Sequence, residues 1–148
     1  MELKNRIDQA LKDALREKNE LVRDAVRMLL AAMKNKEKEL RRPPEDSEIE
    51  RLIVSQIKQR KDSSEQFRKG GRPELAEKEE AEICVLERFL PEQLGPEELD
   101  RLIGETIVEV GAASPRDLGK VMKALTPKVT GRADGKLVSD AVRRKLGA

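Results

Sequence analysis

The sequence predicts an all-α protein, and three observations predict it. Aliphatic residues recur at three- and four-residue spacing along most of the chain, and no stretch alternates convincingly with period two. Clusters of Pro and Gly punctuate the periodic stretches. Charged residues make up 41% of the 148 and aromatic residues 1%, so the core must be a thin one of Leu, Ile and Val. The expected architecture is an N-terminal bundle of about four helices over residues 1–92. A short Pro/Gly linker then leads to a small three-helix unit over residues 96–148.

Leu3, Ile7, Ala10, Leu11, Ala14 and Leu15 give the first helix, from Glu2 to Lys18, a stripe of coiled-coil type. Asn19 interrupts it and caps a second helix, from about Glu20 to Arg41. There Leu21, Val22, Ala25, Val26, Leu29, Leu30 and Met33 make a wider apolar face, which implies more than one neighbour. Pro43-Pro44 stops that helix. Asp46 or Ser47 opens the third, with Ile49, Leu52, Ile53, Gln56 and Ile57 facing inward. Arg60, Lys61, Ser63 and Ser64 then fall where apolar residues belong. That polar turn is either a solvated overhang or part of a basic patch made by Lys58, Arg60, Lys61, Arg68, Lys69 and Arg72.

Gly70-Gly71 is a turn, and Pro73 starts a fourth helix with Leu75, Glu79, Ile83, Leu86, Phe89 and Leu90 along its inner stripe. Cys84 beside that stripe has apolar neighbours, so it is expected to be inert packing. Pro91 to Pro96 holds two prolines and a glycine and reads as a stiff joint. Beyond it Leu99, Leu102, Ile103, Thr106, Ile107 and Val110 form a helix ended by Gly111. Ser114 and Pro115 open another, with Leu118, Val121, Met122 and Leu125 inward and Thr126-Pro127 as its stop. A basic elbow follows, in which Gly131 is free to take a positive φ. Asp134 caps the last helix, whose inner face is read as Leu137, Val138, Ala141 and Val142.

Net charge is only +2, but from Pro115 onward nine Lys and Arg stand against three Asp, which leaves −4 on residues 1–114. A basic end on a slightly acidic body is an electrostatic footprint for a polyanion. The chain has no histidine and one cysteine. It therefore lacks the usual general base at neutral pH, an internal disulfide and any cysteine-based zinc cluster. No nucleophile elbow, P-loop or EF-hand spacing occurs, so neither catalysis, a metal nor a cofactor is expected. No apolar run is long enough to span a bilayer and no signal-peptide hydrophobic region is evident, which gives a cytoplasmic expectation.

The segment GKVMKALTPKVTGRADGKLV resembles the C-terminal signature of the YqeY family, and LKDALREKNELVRDAVRMLLAAMKNKE, QIKQRKDSSEQFRKGGR and LERFLPEQL extend the resemblance over almost the whole chain. That module is shared with the tail of the B subunit (GatB) of the tRNA-dependent amidotransferases, where the tail contacts tRNA and the chemistry lies in a larger domain. The family's carbon–nitrogen ligase label, with glutamine as amide donor, belongs to the whole amidotransferase. This chain lacks the length and the residues for that reaction. The resemblance implies a non-catalytic tRNA- or RNA-binding module. Lys120, Lys123, Lys128, Arg132, Lys136 and Arg143 would meet phosphates, with the backbone near Gly131 approaching closely. Arg60, Lys61, Arg68, Lys69 and Arg72 would form a second patch. The alternative is a protein-interaction adaptor in aminoacyl-tRNA metabolism. The two separate on whether the cations converge on one face or pair off with local Asp and Glu.

Overall fold

A computed structural model describes residues 2–147. Among them are seven α-helices, one 3-10 turn and no strand. The chain separates into two compact units that meet in sequence between Leu90 and Pro91.

The first unit holds α1 (Glu2–Glu17), α2 (Glu20–Leu40), α3 (Asp46–Lys69) and α4 (Pro73–Glu87). Each boundary has a local cause. The Asn19 side chain accepts from the Val22 N–H at 3.2 Å and caps α2. Arg41 ends α2 in the left-handed region, at φ 59°, before the prolines are reached. At the start of α3 the Glu45 N–H donates to Glu48 Oε1 at 3.0 Å. Arg42 closes a fork on the same carboxylate at 2.7 and 3.2 Å. Gly71, at φ 74°, turns the chain into Pro73 at the head of α4. Ile7, Val26, Leu29, Ile49, Ile53 and Leu86 are fully enclosed where these helices meet. Each such side chain contributes about 1.5–3 kcal/mol through burial.

The polar turn of α3 is neither an overhang nor a surface patch. Arg60 is only 6% exposed and Glu82 4%. The Arg60 guanidinium donates from Nη1 to Glu82 at 2.6 Å and to Glu79 at 3.3 Å, and from Nη2 to Met28 Sδ at 3.2 Å. One turn further along α3, Ser64 Oγ donates to Glu80 at 2.9 Å, and Arg68 pairs with the same carboxylate at 2.7 Å. These residues form a polar ladder along the α3–α4 seam. Glu79, read as part of an apolar stripe, is one of its acceptors. Cys84 faces solvent, which corrects the expectation of a packed thiol.

The second unit holds α5 (Pro96–Val110), a 3-10 turn (Pro115–Asp117), α6 (Leu118–Val129) and α7 (Gly135–Lys145). Its core is Ile103, Val121, Leu125, Val129, Val138 and Val142, with Leu146 beside them. Two helix boundaries differ from expectation. Ser114-Pro115 opens a 3-10 turn instead of an α-helix: the Asp117 carboxylate accepts from the Ala113 and Ser114 N–H groups at 2.8 and 3.3 Å. Pro127 lies inside α6 instead of ending it. The proline removes one N–H and crowds the carbonyl four residues back, but it does so in the last turn. Val129 then buries its side chain and holds that turn in place.

Candidate functional site

The expected phosphate-binding elbow is built as a closed structure. Gly131 takes φ 75°, which a Cβ would oppose, and lets the chain reverse after α6. Its carbonyl accepts from Gln93 Nε2 at 2.7 Å, and the Arg132 carbonyl accepts from the Leu94 N–H at 2.8 Å. Arg132 Nε donates to the Glu92 carbonyl at 3.1 Å. The Asp134 side chain accepts from the Lys136 N–H at 2.8 Å and caps α7 as expected. The segment from Glu92 to Leu94 is therefore stitched to the elbow, and Gly131 is buried beneath it.

The cations fare similarly. Lys128 pairs with Glu109 at 2.8 Å and lies 3.4 Å from Thr106 Oγ1, while Arg143 sits 4.0 Å from Asp140. Lys145, outside the expected set, reaches Asp100 at 3.0 Å. Lys120, Lys123 and Lys136 stay exposed and make no side-chain hydrogen bond or ion pair to the described residues. In the second patch Arg60 is buried, Arg68 is held by Glu80 and Lys69 by Glu65 at 3.3 Å, while Lys61 and Arg72 remain exposed. The charge asymmetry has a local explanation. Between Pro91 and Val110 six acidic residues face one arginine, so an acidic α5 packs against basic α6 and α7.

What remains open in this unit is an apolar groove of about 430 Å³ between α5 and α7. Its floor is Leu94, Leu99 and Ile103 on one side and Ala133, Leu137 and Ala141 on the other. Leu137 is 63% exposed, which corrects its assignment to the inner face. The other three residues of that set hold: Val138 and Val142 are buried and Ala141 is half-buried. Asp100, Asp134, Asp140, Arg132 and Arg144 rim the opening. The signal for this groove was present in the last helix: Leu137, Val138, Ala141 and Val142 span too wide an arc for one neighbour.

Ionisation follows local contacts. The Arg42 fork and the Glu45 N–H hold Glu48 down at about 2. Two backbone N–H groups, from Ala113 and Ser114, lower Asp117. Arg68 and then the Ser64 hydroxyl lower Glu80. Among the described residues no group of three or more His, Cys, Asp or Glu is placed to hold a metal ion, and no helix is long and apolar enough to cross a membrane.

The YqeY family model, described as Yqey-like protein, matches residues 4–146. The chain belongs to the YqeY family. It is 33% identical to "Altered inheritance of mitochondria protein 41, mitochondrial" of Pyrenophora tritici-repentis, over 97% of this chain and 80% of that protein. The protein of the same name from Lachancea thermotolerans is 32% identical over 71% of this chain and 58% of its own length. An uncharacterised protein of Schizosaccharomyces pombe is 35% identical over 58% of this chain and 70% of its own. These names correct two expectations of the sequence analysis. They point to mitochondrial proteins in place of a tRNA-binding amidotransferase tail, and they conflict with the cytoplasmic location.

Proposed function

We propose that this YqeY-family chain is a protein-interaction module whose contact surface is the α5–α7 groove of its C-terminal unit. In this reading the N-terminal helices form a bundle, and the C-terminal helices form a second module that begins at the Pro91–Pro96 joint. One observation carries it. Three of the six cations expected to face a polyanion, Lys128, Arg132 and Arg143, have partners within the chain, whereas the apolar groove, with Leu137 exposed in it, is left uncovered. Isolated exposed leucines are ordinary, but a concave apolar surface with a polar rim has the anatomy of a binding site.

The test is site-specific photocrosslinking in cells that express the full chain. A benzophenone amino acid replaces Leu137, with Arg51 on the N-terminal unit as control. A discrete adduct from position 137, resistant to ribonuclease, sensitive to protease and missing from position 51, supports the reading. An adduct destroyed by ribonuclease, or the same adducts from both positions, overturns it.

A further inference from the structure

Four residues carry the α7 wall of the groove in one stripe: Asp134 at the cap, then Leu137, Ala141 and Arg144, at steps of 3, 4 and 3. Ala141 is half-buried and the other three are exposed. The remaining rim charges are already engaged. Asp100 pairs with Lys145 at 3.0 Å, Asp140 sits 4.0 Å from Arg143, and Arg132 Nε donates to the Glu92 carbonyl at 3.1 Å. Asp134 and Arg144 make no ion pair to the described residues, although Asp134 Oδ1 holds the α7 cap. The stripe therefore reads acid, apolar, apolar, base.

Its spacing is the same from either end, while its chemistry is reversed. Two such helices laid antiparallel, with a two-fold axis level with Ser139, bring Asp134 opposite the partner's Arg144 and Leu137 opposite the partner's Ala141. Both contacts occur twice, and the small Ala141 side chain leaves room for a leucine. A parallel pair would set Asp134 on itself and Arg144 on itself, which like-charge repulsion opposes. From this complementarity we infer that the groove takes α7 of a second copy of this chain, in an antiparallel two-fold pair.

This inference rests on the protein-interaction reading and names the partner. Bulk charge does not oppose it, because the C-terminal unit has ten Lys/Arg against nine Asp/Glu. An unrelated partner would have to bring the same four-residue pattern at the same steps; α7 already carries it. The helix is 11 residues long, so the contact is a small one. An interface below the standard size gives a weak dimer, with a dissociation constant on the order of 10–100 μM.

The experiment is sedimentation equilibrium of the full chain from about 5 μM to about 1 mM, a range that brackets that constant. Interference optics follow it, since the chain has no Trp or Tyr. The native chain is expected to pass from monomer to dimer. Leu137→Asp and Leu137→Ser, at an exposed position, should each weaken association at least about tenfold. Arg144→Glu, also exposed, should weaken it about fivefold or more, because it turns two attractive pairs repulsive. Asp134→Lys should do the same, with circular dichroism checking that α7 survives loss of its cap. Mixing the Arg144→Glu and Asp134→Lys chains restores both charge pairs, so the mixture should associate where neither variant does alone.

A native chain that stays monomeric throughout overturns the inference, as does association indifferent to Leu137 or to Arg144→Glu. A mixture of folded variants no better than its components also overturns it. Crosslinking of position 137 to a different protein, alongside a monomeric native chain, leaves the protein-interaction reading standing without the second copy. Loss of the position-specific crosslink removes the reading itself.

Discussion

Replacing Arg60 by Met should destabilise the N-terminal unit by about 3–5 kcal/mol, because it leaves the buried Glu82 carboxylate without its cation. The magnitude follows from the geometry. Both side chains are nearly sealed from water, the pair is 2.6 Å apart, and Glu79, the second acceptor, is itself a carboxylate and offers Glu82 no compensation. A unit of this size has a total stability of roughly 5–13 kcal/mol, so the loss is a large fraction of it. The double variant Arg60→Met/Glu82→Leu removes both charges and restores apolar packing, and should recover most of the loss. Urea unfolding followed by far-ultraviolet circular dichroism measures both, since the chain has no Trp or Tyr to report by fluorescence. A solvated overhang would instead confine Arg60→Met to about 0.5 kcal/mol. A loss that small, or a double variant no better than the single one, would refute the buried ladder.

The acid limb of stability should depend on Glu48. Its native carboxyl ionises at about 2 against an ordinary 4.5, so its contribution is complete above 4.5 and is lost as the pH falls through 2. Thermal melts through that range should show a flatter acid limb for Glu48→Gln than for the native chain. Asp134→Ala should cost about 0.5–2 kcal/mol through loss of the α7 cap, measured by the same urea titration on the C-terminal transition. Gly104 lies within α5 with open space where a Cβ would project, so Gly104→Ala should stabilise by about 0.5–1 kcal/mol in that transition.

The helices were legible because their stop signals are chemical and local. Asn19, Asp134, Gly71 and Pro73 each act on the nearest turn: two by capping with a side-chain oxygen, Gly71 by lacking a Cβ, and Pro73 through its fixed φ. Pro127 was misread because the rule for proline describes a helix interior, and burial of Val129 two residues later outweighs it. The site was less legible because pairing is a tertiary property. Spacing places Arg60 on a helix face, but it cannot show that Glu79 and Glu82, about twenty residues away, stand opposite it. The same holds for Lys128 and Glu109. Leu137 carried a partial signal, since its helix face spans too wide an arc for one neighbour, but which residue of that arc stays uncovered depends on how α5 packs against α7.

A chain with two charged residues in every five invites a reading in terms of charged partners, yet charge at this density is first of all a structural material. Lys128 of α6 and Lys145 of α7 pair with Glu109 and Asp100 of the acidic α5, and the ten Lys/Arg from Pro91 to Ala148 stand against nine Asp/Glu. Near-neutral units of this kind have little long-range attraction to offer a polyanion. Their discriminating feature is apolar surface left uncovered, and its shape matters more than its amount. Val108, 80% exposed, is the more accessible residue, but it lines neither groove wall; Leu137 stands in a concavity with Leu99 and Ile103 opposite. A partner helix gains burial on several sides at Leu137 and on only one at Val108. If a benzophenone amino acid at Val108 captured the same adduct as one at Leu137, shape would not be selecting the site, and the groove would lose its claim to it.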